Sequence, residues 1–239
     1  MSDALVSIRH DIERIIPGAH TRGSIAQSYV VKLLVNTTDA VIKVEPNIIL
    51  RGAIYPSLSM DICQAAQEQF GTFVSVPILS LADLYGGKLC AALDRQHPRD
   101  LFDVKLLLDD TGITPEIRRS FVVYLAGHNR PMNELLSPNL LDIRSLYEDQ
   151  FRGMTQQDVP LEELQQLQED LARMLVQSLD EHERDFLLSM KRGEPQWDLM
   201  GIENLSQFPA LKWKILNIRQ MNPAKKTAEF NRLQEILSM

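Results

Sequence analysis

The stretch GGKLCAALDRQHPRDLFDVKLLL, residues 86–108, sets Lys88, Arg95, Arg99, Asp100 and Asp103 among apolar residues at helical spacing. His97-Pro98 divides it into two helices, one running through LADLYGGKLCAAL and the next beginning at RDLFDVKLLL. Two chemistries fit cations and carboxylates this close to a buried surface. Asp100 and Asp103 lie three apart, so they share a helix face and reach one metal ion or one basic partner. Arg95 and Arg99 bring planar guanidinium forks suited to phosphate oxygens, and Lys88 sits where it can cross the turn. In phosphoryl transfer the protein mostly positions charge of this kind. The alternative is architectural, with Arg99 bridging Asp103 and Lys88 pairing with Asp100 across the turn. Spacing alone favours the architectural reading.

Upstream, Ser80 and Asp83 make a capping box for the first of these helices. Gly86 and Gly87 inside it cost about 1 kcal/mol each relative to Ala, which predicts close packing against another backbone. TFVSVPIL reads as a strand with Pro77 at or beyond its end, and MDICQAAQEQFG as a short helix closed by Gly71. SYVVKLLV and AVIKVEP form a hairpin around NTTD, residues 36–39. Alternation along the return strand puts Val41, Lys43 and Glu45 on one face and Ile42 and Val44 on the other. Leu5, Ile8, Ile12 and Ile15 or Ile16 recur at helical period before Pro17-Gly18.

Downstream of Thr114-Pro115 every pattern is helical, including LEELQQLQEDLARMLVQSL, DEHERDFLLSMKRG, QFPALKWKILNIRQM and AEFNRLQEILSM. The chain is therefore expected to be α+β over residues 1–110 and all-helical over 111–239, joined near Asp109 to Thr114.

The formal net charge of -7 means that any nucleic-acid contact must be local. Cys63 and Cys90 lack metal-site spacing and read as small buried hydrophobes in a reducing compartment. The N-terminus has no signal-like apolar run and no stretch is long enough to span a bilayer, so a cytoplasmic protein without a membrane partner is expected. The EHERD run at 181–185 reads as a solvated helix face, and the KRGEPQW segment as a source of basic loop residues.

The run KLCAALDRQHPRDLFD, residues 88–103, follows a strand and LADL; with IKVEPN…LRG and the late PALKWKILNI it resembles the nucleotidyltransferase-like toxins of the AbiEii/AbiGii family. The likeness extends from the first helix almost to the end of the chain. It implies a nucleotidyltransferase-like mixed sheet with helices, followed by a helical C-terminal part. It implies transfer of a nucleotidyl group from an NTP to an acceptor, with RNA such as tRNA a candidate, Mg2+ as cofactor, and a cognate antitoxin as partner. Carried onto this sequence, Glu45 matches the acidic position of the second motif, a metal ligand or its orienter. Lys88 matches the phosphate-binding lysine of the third motif and Asp100 the leading aspartate of the fourth. Arg99 is implied beside it as a phosphate or structural partner, with Arg95 a further phosphate-binding candidate, and Asp103 as a supporting residue that orients Arg99 or Lys88. No nucleophile is implied, because the attacking hydroxyl belongs to the acceptor.

Enzymes of this fold also carry a first motif, a Gly-Ser followed by a closely spaced acidic pair that holds magnesium. Here the only Gly-Ser is Gly23-Ser24, followed by IAQSYVVKLLV, and no Asp-x-Asp occurs in the 239 residues. The expectation is that the sequence starts downstream of that motif, binds magnesium poorly, and is inactive alone. A non-catalytic descendant that binds nucleotide or protein is the alternative, and a domain whose motif residues form only a salt-bridge network is a third reading.

Overall fold

The computed structural model describes residues 2–26, 29–45 and 52–238. The chain divides into two compact units, Met1–Arg51 and Gly52–Met239.

In the first unit, helix α1 (Ser2–Ile15) precedes an antiparallel sheet of β1 (His20–Ala26), β2 (Tyr29–Asn36) and β3 (Val41–Val44), in that order. The hairpin predicted around residues 36–39 is present, closed by the Thr37 amide donating to Ala40 at 2.9 Å. β1 was not expected: HTRGSIA carries a glycine and polar residues in place of the β-branched alternation that marks a strand, yet it pairs with β2 along its whole length, with a register slip at Ser24/Ile25. α1 lies against one sheet face, where Leu33 and Val35 are buried and Thr21 donates its amide to Glu13 at 3.2 Å. β3 stops at Val44, so Glu45 stands directly beyond the strand.

The second unit opens with β4 (Leu58–Asp61), α2 (Gln64–Phe70) and β5 (Ser75–Ile78), with β4 and β5 paired antiparallel. Met60 and Asp61 therefore belong to a strand, and the short helix starts only at Gln64. Cys63 at its N-cap is exposed, which corrects the expectation of two buried cysteines; Cys90 is buried as expected. Pro77 lies inside β5 opposite Ser59, tolerated because a two-stranded ladder leaves each strand one side free of partners.

The rest is helical: α3 (Leu81–Arg95), α4 (Pro98–Asp110), α5 (Pro115–Gly127), α6 (Met132–Leu136), α7 (Arg144–Gln150), α8 (Leu161–Ser178), α9 (Glu181–Arg192), α10 (Pro209–Gln220) and α11 (Pro223–Leu237). The fold class is thus α+β with a helical C-terminal part, and both described sheets are antiparallel. The core of this unit gathers side chains from α3 to α11, among them Leu89, Leu101, Phe121, Leu164, Phe186 and Leu233.

α3 and α5 approach closely at Gly86, where an added Cβ would lie 2.6 Å from Ser120 Cβ and 2.8 Å from the Phe121 amide nitrogen. Gly87 faces open space. Only the first of the two glycines therefore has the packing role foreseen for both.

Two charged segments differ from expectation. Glu183, in the EHERD run, is 2% exposed; Arg118 of α5 donates Nε to its carboxylate at 2.7 Å and reaches Asp180 at 2.9 Å. Lys191, in the KRGEPQW segment, is 1% exposed and paired with Glu229 of α11. Each buried charge is matched by a partner, without which it would be strongly destabilising.

Lys214 of α10 is also buried, and its ammonium donates to the carbonyls of His128 at 2.6 Å and Arg130 at 3.0 Å, just past the end of α5. A cation there satisfies carbonyls of the turn that follows the helix, close to the helix's negative end. Burial, and then the neighbouring charge of Lys191, pushes Lys214 from 10.5 down to about 8. Between those pH values the unfolded chain holds a proton that the folded chain has released, so this group makes stability rise with pH across that window and adds nothing to the slope below it. The rise is on the order of 3 kcal/mol at ~1.4 kcal/mol per unit. Urea unfolding at pH 7, 9 and 11 checks it: Lys214→Met should lose that rise relative to the parent chain, and an identical pH dependence in both would contradict it.

Candidate functional site

α3 and α4 form a helical hairpin whose ends are set by side-chain caps. Ser80 accepts the Asp83 amide at 3.0 Å and starts α3. Gln96 then turns the chain in a left-handed conformation, φ 50°. Its buried side chain donates to the Asn139 carbonyl at 2.9 Å and accepts from the Leu141 amide at 3.0 Å and from Gln168 of α8 at 2.6 Å. His97 caps α4, its Nδ1 accepting the Arg99 amide at 3.1 Å while Nε2 lies 3.3 Å from the Gln150 side-chain oxygen. Nδ1 as acceptor requires the proton on Nε2, which makes Nε2 the donor to Gln150.

On this hairpin Lys88 is ion-paired to Asp103, both about one-third exposed, and Arg95 Nη2 lies 2.5 Å from Asp100. The partners are those of an antiparallel hairpin. Arg95, at the end of α3, meets the first turn of α4; Lys88, further back, meets the next. Arg99 is exposed, and its side chain has no carboxylate within ion-pair distance among the described residues. Lys88, Arg95, Arg99, Asp100 and Asp103 therefore share one hairpin in the second unit. Glu45 belongs to the first unit, where a hydrogen bond from Lys43, 2.5 Å away, holds its carboxyl below the usual range. A cavity of about 380 Å³ lined by Leu136, Pro138, Leu140 and Val176 includes none of the six.

The family model for the nucleotidyl transferase AbiEii toxin of type IV toxin–antitoxin systems matches residues 5–214. The chain belongs to the AbiEii family. Searches among curated proteins and among solved structures each gave no match. Membership of this AbiEii family makes the chain a relative of nucleotidyl transferase toxins and implies a cognate antitoxin. Among the described residues no helix is long and apolar enough to cross a membrane.

Magnesium requires converging oxygens in near-octahedral array, commonly one or two carboxylates with substrate phosphates. Asp100 and Asp103 each face a cation, and the described residues include no cluster of three or more His, Cys, Asp or Glu side chains able to hold a metal. The described residues do not fit a magnesium site.

Sequence reading missed Asp83 as more than a cap. Its side chain is 1% exposed, and its carboxylate accepts from the amides of Ile54 at 2.8 Å and Tyr55 at 3.0 Å, from the Tyr124 hydroxyl at 2.7 Å and from Ser80 at 2.8 Å. Burial, reinforced by the Asp83 charge, raises the Tyr124 pKa, so the phenol remains a donor. Asp83 thereby fastens the segment before β4 to α3 and α5, five positions before Lys88. The local signal, an Asp three residues after a Ser, is the same for an ordinary cap.

Proposed function

We propose that this AbiEii-family chain holds the triphosphate of an NTP at the α3–α4 hairpin, for transfer of its nucleotidyl group to an RNA acceptor such as tRNA, and that the 239 residues alone do not complete the transfer. The observation that carries the reading is the gathering of Lys88, Arg95 and Arg99 on one hairpin fixed by buried caps. Their charges would offset the phosphate oxygens, with Asp103 and Asp100 orienting Lys88 and Arg95 until a ligand competes for them. In the transfer the acceptor oxygen bonds to the α-phosphorus as the bond to the β-phosphate breaks, and pyrophosphate leaves. Inactivity of these residues alone follows because their one Gly-Ser, Gly23-Ser24, is not followed by an acidic pair, and weak magnesium binding is expected for the same reason. The compartment we assign is the cytoplasm.

Equilibrium NTP binding and transfer of labelled NTP onto RNA test both halves. Lys88→Ala should weaken NTP binding tenfold or more while costing at most about 1 kcal/mol of stability, the worth of a partly exposed ion pair. Unchanged affinity in a folded Lys88→Ala protein would remove Lys88 from the site. Efficient transfer by these residues alone would overturn their inactivity. The commitment of both hairpin carboxylates to cations favours a second reading, a nucleotide-binding descendant without turnover; NTP binding that persists when the missing motif is supplied without restoring transfer would select it.

A further inference from the structure

The first unit carries a charge asymmetry that the hairpin chemistry does not use. Residues 1–51 hold six of the chain's 25 Lys and Arg but only five of its 32 Asp and Glu, so this segment is +1 and the remainder is -8. The distribution within the unit is sharper. Asp3, Asp11 and Glu13 lie on α1, which covers one face of the sheet, and Asp39 lies in the β2–β3 turn. Arg9 and Arg14 also lie on α1, paired with Glu13 and Asp11, while Arg22, Lys32 and Lys43 take the other face of the sheet. Register places Arg22 of β1, Leu34 of β2 and Lys43 of β3 side by side, with Ser24 opposite Lys32, and with His20, Asn36 and Val41 in one row. His20, Arg22, Ser24, Val41 and Lys43 are exposed; Lys32, Leu34 and Asn36 are half-buried. Arg22 and Lys32 have no carboxylate within ion-pair distance among the described residues. Among the described residues of this unit Glu45 is the one acid beside this face, paired to Lys43 and held low also by the charge of Lys32.

Adjacent strands are about 4.8 Å apart, so Arg22 and Lys43 stand roughly 10 Å from each other across β2. Cations spaced across neighbouring strands suit a chain of single negative charges. The described side chains of this face include no Phe, Tyr or Trp to stack on bases, which leaves the phosphates as the contact. Among the described residues of this unit the one helix lies on the opposite face and the strands form a three-stranded sheet, so neither a helix nor a free two-stranded ribbon projects from this face to enter a duplex groove. We propose that the open face of the β1–β3 sheet binds the phosphate backbone of single-stranded RNA through Arg22, Lys32 and Lys43, with Glu45 as the counter-ion that weakens the contact. The choice of RNA among polynucleotides rests on the nucleotidyl-transfer reading above; the phosphate contact does not.

The test is fluorescence anisotropy of a labelled twelve-nucleotide oligouridine with the full chain, without NTP or magnesium, so that it is independent of turnover. Three phosphate contacts on a single strand predict a slope of about −2 for log affinity against log salt, or roughly twentyfold weaker binding from 50 to 200 mM. Arg22→Gln/Lys32→Gln should weaken binding at least tenfold and bring the slope to about −0.7. Glu45→Gln should tighten it several-fold. Lys212→Gln, at an exposed cation on α10, should leave it unchanged. Circular dichroism melting confirms that each variant is folded, and Arg22→Lys, which keeps the charge, should retain the binding if the double variant melts early. No binding at 50 mM salt, equal losses from Lys212→Gln, or equal competition by polyglutamate would overturn the proposal. Oligodeoxyuridine binding with equal affinity would keep the phosphate contact and overturn the assignment to RNA.

Discussion

Gly86→Ala is expected to destabilise the chain by about 2–4 kcal/mol, whereas Gly87→Ala, one residue along the same helix, is expected to stabilise it by ~0.5–1 kcal/mol. Both substitutions gain the same helix propensity, since both glycines lie in the interior of α3. Their surroundings set the sign. At Gly86 the new methyl would sit 2.6 Å from Ser120 Cβ and 2.8 Å from the backbone nitrogen of Phe121. Those atoms belong to the body of α5 and cannot rotate away like a side-chain end, so the helices must separate. Separation would loosen the core contacts of Leu89 and Phe121, which are fully buried. At Gly87 nothing lies within 4 Å. Urea unfolding of the two variants in parallel gives the comparison, and two shifts of the same sign would refute the close approach of α3 and α5.

Asp83→Ala is expected to cost about 3–5 kcal/mol, because it removes the acceptor of four donors and leaves the Ile54 and Tyr55 amides without their partner. The Tyr124 hydroxyl loses its acceptor as well. Tyr124→Phe should cost less by itself, and the double variant should cost less than the sum of the two, with a coupling of roughly 1.5–3 kcal/mol for a hydrogen bond to a charged group. Hydrogen exchange supplies the local readout: the Ile54 and Tyr55 amides should lose protection in Asp83→Ala more than the amides of α9 do. Equal losses in both places would mean that Asp83 acts on the whole unit and not as a fastening for the segment before β4.

Much of the fold was legible because the features that betray it are local. Ser80 and Thr114 begin helices where their spacing says they should, each accepting an amide three residues on. The hairpin about residues 36–39 follows from alternation and turn chemistry. What the sequence hid depends on partners far along the chain. Asp83 reads as a cap until Tyr124, 41 residues away, is seen to donate to it. Glu183 reads as solvated until Arg118, 65 residues away, is seen to cover it. β1 was hidden for a different reason: its pairing with β2 supplies the order that its own composition does not. At the hairpin the residue types were legible, but the choice of partner needed the antiparallel geometry, which sets Lys88 against Asp103 and Arg95 against Asp100.

The turn that aims Arg95 and Arg99 is held by Gln96, and one of its anchors, Gln168, lies 72 residues downstream. A ribosome adding about 5–20 residues per second needs roughly 4–14 s to make that span, plus the time for α8 to clear the exit tunnel. Until then the Gln96 amide has neither its α8 partner nor, for part of that interval, the 139–141 segment that α8 helps to hold. The cationic corner of a nascent chain has until that point only its local contacts, the His97 cap and the two ion pairs, and lacks the buried amide bonds that anchor its turn. Synthesis that stops before α8 releases a product with the motif in its sequence but without the buried amide that fixes its shape. For a member of a toxin family, the order of synthesis itself delays the moment at which the corner gains its last buried anchor.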